Sequence, residues 1–363
     1  MHFFRNLVQV LLFAVGTIRA LAAEPEPRDL SEKVENLRGK YNLPACAAAI
    51  VQKGKITAIG ASGLRRTDRD VQVTIEDIWS IGSCTKSMTA TVVGMLVDSG
   101  KVAWETRVPA ALPRFACNRG WREVTVWDLV THRSGLGQVW FPENNPVFAP
   151  LLPGEQREAF VRSLVSQPLP GPPGKSAYSN AGYTILGEVI ERLSGENYEK
   201  MLRECIFKPL NLESAGFGAP AGVDRPNQPY GHRRKDDRLL PVEPSAQSIS
   251  PLLAPAASVH MSLTDFARYA AWLGTNSPPL LKPETFARLH TPPEGDKYAG
   301  GIWKTEMPGI GGEAFCHTGT IGGFFAVMYI NHDCACVAVM NVEGFGWEWL
   351  GDEIVAAAME SVR

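Results

Sequence analysis

The sequence is poor in cysteine, in surplus charge of either sign and in long apolar runs, and each shortage excludes something. Seven cysteines in 363 residues, at 46, 84, 117, 205, 316, 334 and 336, fit neither a dense disulfide scaffold nor a metal-ligand spacing. The odd count leaves at least one thiol unbridged. Cys334 and Cys336 fall on one face of one strand, and Cys316 on a neighbouring strand would allow a single bridge in an oxidising compartment. Charged residues make up 20% of the chain and the net charge is -2, with the basic residues dispersed, so no nucleic-acid partner is indicated. The densest basic cluster, His232-Arg233-Arg234-Lys235, runs straight into Asp236-Asp237 and reads as a solvated loop. There is no Gly-x-Ser-x-Gly elbow, which argues against an α/β-hydrolase fold, and no His-Glu-x-x-His. None of the seven histidines stands in a metal-ligand pair, so neither a metal nor another cofactor is expected. No internal repeat or low-complexity tract occurs.

One apolar stretch stands out, from Leu7 to Ile18, after Arg5 and before Ala20-Leu21-Ala22-Ala23 and the polar Glu24-Pro25-Glu26-Pro27. It reads as a secretory signal ending near residue 23, too short to span a membrane comfortably, so export to the periplasm or the extracellular space is expected. No stable membrane span is expected once the signal is cleaved. The remaining chain, 45% hydrophobic by composition, is long enough for two lobes. Leu30 to Tyr41 reads as a helix, and Ala47 to Ile59 as a hairpin turning at Lys53-Gly54. From about Trp121 to Leu273 the pattern is mainly helical, broken by proline-rich crossings at 142 to 154, 168 to 174 and 219 to 255. Strands return at Ala299 to Lys304, Ala314 to Thr318, Phe324 to Ile330 and Cys336 to Asn341, and a last helix runs from about Trp347 to Val362. These elements predict an α+β fold: a discontinuous lobe, 24–115 and 275–363, with an antiparallel sheet flanked by helices, and an inserted mainly helical lobe, 116–274.

Three short elements carry chemistry. Ser83-Cys84-Thr85-Lys86 opens a predicted helix running to Val97, with Gly100 to stop it, so the Lys86 amine and the Ser83 hydroxyl share a face. A serine activated by a desolvated lysine is a competent nucleophile, and the Ser83 N–H at a helix start is one oxyanion donor. Ser-x-x-Lys is a common tetrad, but no other lysine in this chain has a serine three residues before it. Cys84 faces another side of that helix and is read as packing. Tyr178-Ser179-Asn180 follows a rigid proline loop and opens a helix with the apolar stripe Tyr183, Leu186, Ile190 and Leu193, ended by Gly195. Its tyrosine is presented at a junction, where cations that depress its pKa would let it act as base or proton shuttle, and Asn180 suits the holding of Lys86 or a substrate amide. The other Tyr-x-Asn, at Tyr329-Ile330-Asn331, lies in an apolar strand and is read as structural. His317-Thr318-Gly319 precedes Gly322 and Gly323 and reads as a strand edge. There Gly319 admits a substrate backbone and the Thr320 N–H supplies a second oxyanion donor.

In this order the three elements resemble the active-site motifs of the penicillin-recognising serine hydrolases. The closest branch is that of class C β-lactamases, related D-alanyl-D-alanine carboxypeptidases and esterases of the same fold. The resemblance runs from about Leu30 to the C-terminal helix and includes Ile78-Trp79-Ser80-Ile81-Gly82, Leu129-Val130-Thr131-His132-Arg133-Ser134-Gly135-Leu136 and Phe207-Lys208-Pro209-Leu210. It implies an exported serine hydrolase in which Ser83 is acylated, Lys86 and Tyr178 manage its proton, and Asn180 binds Lys86 and the substrate amide. His317 and Thr318 would line the site for the acyl group's carboxylate or carbonyl. Histidine replaces the lysine that many β-lactamases carry at position 317, which weakens a carboxylate anchor and the expectation of efficient β-lactam hydrolysis. The substrate would be a small molecule or peptide: a β-lactam, a D-Ala-D-Ala peptide or a small ester. The competing reading is a non-catalytic binding or sensing protein that uses the same cleft. His132, in the turn before Ser134-Gly135, is read as structural.

Overall fold

The computed structural model describes residues 26–138 and 151–360, apart from residues 223, 237, 248–249 and 344–346. The expected export segment and most of the crossing at 142 to 154 lie outside the described residues. In chain order the strands are β1 (Arg28–Asp29), β2 (Ala45–Gln52), β3 (Lys55–Arg66), β4 (Arg69–Gln72), β5 (Ile78–Ser80), β6 (Gly216–Phe217) and β7 (Gly231–Lys235), then β8 (Arg238–Val242), β9 (Val259–Ser262), β10 (Trp303–Glu306), β11 (Glu313–Ile321), β12 (Phe324–Ile330) and β13 (Cys334–Met340). The main sheet has the order β1-β3-β2-β13-β12-β11-β10, with β4 paired to β3. It is antiparallel except for the β1–β3 pair.

Side chains alternate across a strand, so a strand covered on both faces must be apolar throughout. β2, Ala-Cys-Ala-Ala-Ala-Ile-Val-Gln, is such a strand. Ala45, Ala47, Ala49 and Val51 belong to one core, and Cys46, Ala48 and Ile50 to the other. β12 and β13 divide the same way: Ala326, Met328, Val337 and Val339 join the first core, Phe325, Val327, Tyr329, Cys336 and Ala338 the second. The second core is closed by the helices Ser31–Lys40 and Trp347–Met359. The first is closed by the helix Leu263–Thr275, which packs on β2, β12 and β13, and beyond it by the mainly helical stretch between β5 and β9. A boundary at 274 puts Leu263–Thr275 with the helical lobe, yet its buried stripe of Phe266, Ala267, Ala270 and Leu273 lies against the sheet.

The hairpin turns as expected, with Lys53 and Gly54 both at positive φ. Three expectations need correction. The strand placed at Ala299 to Lys304 begins only at Trp303, because Gly301 sits at φ +82 with its Cα position pressed against the backbone of Lys86 and Ser87. The crossing at 219 to 255 is not structureless, since it holds the β7–β8 hairpin, and the basic cluster lies on β7 rather than in a loop. His232 there is buried, accepting the Thr67 N–H on Nε2 and donating from Nδ1 to the Asn341 carbonyl. Finally, Cys316 pairs across to Tyr329 and Tyr329 to Cys336, so a whole strand separates the two cysteines and no bridge can close between them. No disulfide is formed among the described residues.

Candidate active site

Ser83 is the middle residue of a short 3-10 turn, Gly82–Cys84, which feeds into the helix Thr85–Asp98. The α-helix thus starts two residues later than the sequence pattern suggested. The turn depends on Gly82, at φ +49, where a Cβ would stand 2.8 Å from the Thr320 nitrogen. Gly319 answers from the other side: a Cβ there would stand 2.1 Å from the Ile81 carbonyl oxygen and 2.6 Å from the Ser83 nitrogen. Two glycines therefore let β11 run directly against the backbone that carries Ser83. The helix that follows is buried on nearly every side, as the small residues Ala90 and Gly94 suggested, and a Cβ on Gly94 would meet the Thr285 side chain at 2.9 Å. Its hydroxyls are satisfied inside the core, Ser87 by Tyr269 at 2.8 Å and Thr89 by Tyr198 at 2.8 Å.

Lys86 is fully buried. Its Nζ lies 2.8 Å from Asn180 Oδ1, 2.9 Å from the Ala256 carbonyl oxygen and 3.0 Å from Ser83 Oγ. The amide and carbonyl oxygens only accept, so they take two N–H bonds, and only the Ser83 hydroxyl can give a proton to the amine's third position. Among the described residues no carboxylate pairs with Lys86. Burial drives its pKa well below the usual lysine value, which favours the neutral form of the amine beside Ser83.

Tyr178 approaches from the opposite wall. Its phenol hydrogen-bonds Ser83, and its ring centroid lies 4.8 Å from Lys86 Nζ. Burial raises its pKa above the ordinary phenol value, with the Ser83 bond opposing more weakly. The expectation of a tyrosine made basic by nearby cations is therefore corrected: the one amine beside it is itself desolvated, and Tyr178 keeps its proton. Ser179 caps the helix Asn180–Ser194 through the Gly182 N–H, and Gly195 ends it at φ +77, which fixes Asn180 in the first turn.

His317 comes to the same cluster but not as a charged anchor. It is 2% exposed, and its Nδ1 faces the Thr318 carbonyl oxygen at 2.5 Å, so Nδ1 carries the proton and Nε2 accepts from the Tyr298 hydroxyl at 3.2 Å. Burial first, and Lys86 second, push its pKa down to about 3. The partly charged imidazole expected at this position is a neutral one. Along β11, Thr318 is partly exposed, Gly319 buried and Thr320 exposed. With the partly exposed Ser83 and Tyr178 and the exposed Asn180, they mark the mouth of the site.

Sequence reasoning missed the wall behind Lys86. Tyr298, Tyr183 and His132 are buried there, with the His132 ring 4.4 Å from Tyr298 and 5.2 Å from Tyr183. Gly300-Gly301, just after Tyr298, was the available signal for a backbone pressed on the helix. Cys84 donates its thiol to the His317 carbonyl, and burial raises its pKa, so the thiol beside Ser83 is packing as expected. Tyr329 hydrogen-bonds Asp352 on the far face of the sheet, also as expected. A cavity of about 960 Å³ lies among the helices, bordered by Phe115, Glu158, Glu188 and Arg192, and none of its lining residues belongs to the Ser83 cluster. Among the described residues no group of histidine, cysteine and carboxylate side chains could hold a metal ion, and no helix is long and apolar enough to cross a membrane.

Comparison with known proteins agrees with this geometry. A penicillin-binding protein 4 of Amycolatopsis lactamdurans is 31% identical over 51% of this chain and 47% of its own length. An unguisins hydrolase of Aspergillus campestris is 27% identical over 84% of this chain and 59% of its own. The chain thus spans about half the length of these curated relatives. Among solved structures, the octameric penicillin-binding protein homologue of Pyrococcus abyssi superposes with a TM-score of 0.76 at 21% identity, covering 91% of this chain and 76% of that one. A D-amino acid amidase of Ochrobactrum anthropi gives 0.72 at 20% identity, covering 92% and 99%. The beta-lactamase family model matches residues 30–360, and the chain belongs to the beta-lactamase family.

Proposed function

We propose that the protein is an exported hydrolase that cleaves an amide or ester bond through an acyl-enzyme on Ser83. The observation that carries the reading is the geometry at Lys86 Nζ: two acceptor-only oxygens take two N–H bonds, and Ser83 Oγ stands at 3.0 Å in the third direction, where a neutral amine presents its lone pair to the Ser83 proton. In acylation the Ser83 proton passes to Lys86 Nζ while Oγ attacks the substrate carbonyl carbon. The tetrahedral oxyanion is received by the N–H groups of Ser83 and Thr320, whose backbones the two glycines bring together. Tyr178, still protonated, hands its proton to the departing nitrogen or oxygen and is reprotonated from Lys86, so the carbon–leaving-group bond breaks with no net charge left in a buried site. Water then repeats the sequence on the acyl-enzyme and frees the acid. Asn180 holds Lys86 and faces the substrate amide, and His317, Thr318 and Gly319 form the strand edge along which the acyl group lies. Export rests on the apolar run from Leu7 to Ile18 and the small residues after it.

A neutral, inward-locked His317 gives a substrate carboxylate no charge at that position, which favours neutral amides and small esters over carboxylate-bearing β-lactams. The test is a parallel assay of the mature protein on nitrocefin, a p-nitrophenyl short-chain ester, a D-amino acid amide and a D-Ala-D-Ala peptide, with fluorophosphonate labelling read by intact mass. Labelling and turnover that vanish in Ser83→Ala support the proposal. A protein that takes up no label and turns over none of the four would be a binding protein instead.

A further inference from the structure

We infer that His132 is a positioning residue for Tyr178, clamping the backbone on both sides of it while its imidazole supports the phenol ring. The inference rests on the proposed role of Tyr178 at Ser83. His132 follows the helix Val126–Val130, whose start is fixed by a reciprocal capping box between Thr125 and Asp128. It turns there into the left-handed region at φ +58, which is uncommon outside glycine. The turn is held by the Arg133 N–H on the Asp128 carbonyl, by the Gly171 N–H on the Gly135 carbonyl, and by an ion pair between Arg133 and Asp296.

From that fixed point His132 makes three contacts with the Tyr178 segment. Its carbonyl accepts the Ala177 N–H at 2.8 Å, its Nδ1 accepts the Ser179 N–H at 3.1 Å, and its ring centroid lies 4.3 Å from the Tyr178 ring. Ala177 and Ser179 are the two neighbours of Tyr178, so the N–H groups of the residues on either side of it are both tied to one residue. The imidazole also meets Tyr298 at 4.4 Å, and the Tyr298 ring lies edge-on at 6.2 Å from that of Tyr178, so the three rings pack on one another. An amide N–H only donates, so Nδ1 must present a lone pair, and the neutral ring then carries its proton on Nε2. Among the described residues that atom is buried without a hydrogen-bond partner, an expense that space-filling alone would not require and that the Nδ1 bond imposes. Burial, and then Lys86 and His317, lower the pKa well below the ordinary histidine value, so the lone pair is retained at neutral pH.

Three variants separate clamp from filler. His132→Asn keeps an oxygen near the Nδ1 position and tolerates positive φ, His132→Phe keeps ring volume without the acceptor, and His132→Ala keeps neither. Displacing the Tyr178 phenol by about 1 Å costs on the order of 10²-fold in rate. For turnover of the best substrate, kcat should therefore fall by about that factor in His132→Phe and His132→Ala, with KM changed less than about threefold. His132→Asn should recover to within about tenfold of the parent. Equal loss in Asn and Phe, or near-parental kcat in Phe, would overturn the assignment. A readout independent of activity is long-range 1H–15N NMR of the parent imidazole. The expected result is an Nε2–H tautomer that does not titrate between about pH 5 and 9, and an Nδ1–H tautomer or an ordinary titration would refute the clamp. If the parent neither labels nor turns over while the NMR result holds, the enzymatic reading has failed and the clamp has not.

Discussion

The two faces of the main sheet are built from the same strands and differ in what they bury. Toward the helices Ser31–Lys40 and Trp347–Met359 the core is apolar, with Val34, Ile50, Ala338, Leu350 and Ile354 in contact, and its ionic contacts, such as Lys40–Glu353 and Arg38–Glu35, lie at the exposed rim. On the other face a lysine, two histidines and several tyrosines are buried near Ser83, and among the described residues the His132 Nε2 atom there has no hydrogen-bond partner. A face that only has to hold the sheet together has no use for a desolvated amine. In the proposed mechanism the cleft face keeps one because a base is worth more there than a stable charge.

The largest expected effect falls on the cleft face. Ser83→Ala should lower turnover on the order of 10⁴–10⁶-fold, and Lys86→Met by about 10²–10⁴-fold, with the double variant far from the product of the two losses. Lys86→Met should at the same time raise Tm by about 2–4 °C, because the folded state holds this amine neutral while the unfolded state protonates it. The sign follows from linkage: with the folded pKa below the unfolded value, the unfolded chain binds more protons and stability increases as pH rises between the two. A Lys86→Met protein with lower Tm by calorimetry would remove the contrast between the faces.

The pH profile sharpens the same contrast. Log kcat/KM should rise with pH as Lys86 loses its proton and then stay level, because Tyr178 holds its own proton beyond the ordinary phenol range. His317, with a pKa of about 3, contributes no limb above about pH 4. A descending limb near neutrality would place a different group on the proton path.

Smaller effects belong to the other face. Ile354→Ala, at a residue 1% exposed, should cost about 2–5 kcal/mol in urea unfolding while leaving kcat per folded molecule unchanged. The smallest is Glu35→Gln. Arg38 and Ser62 hold the Glu35 carboxyl down to about 2, a contribution fully present above its usual pKa of 4.5 and lost as pH falls through about 2. Nearly half of the side chain is open to solvent, so the loss at pH 7 should stay below about 1 kcal/mol.

The elements that were legible in the sequence are those whose signals are local. The Lys53-Gly54 turn, the Gly195 stop, the Phe324–Ile330 strand and the serine–lysine spacing each follow from neighbouring residues. The short strands β5, β6 and β9 were not legible, because their pairing partners are distant in sequence. Nor was the start of β10, displaced by a glycine that packs on the Lys86 helix, or the intervening strand that keeps Cys316 from Cys336.

By itself, then, the sequence picked out the side chains proposed to carry the chemistry, since their i, i+3 spacing at a helix start brings Ser83 and Lys86 together. Tertiary structure decided their protonation states. Burial pushes the Lys86 pKa down, the Tyr178 pKa up and the His317 pKa down to about 3, because the cost of charge depends on what surrounds a group in space and not on its neighbours in the chain.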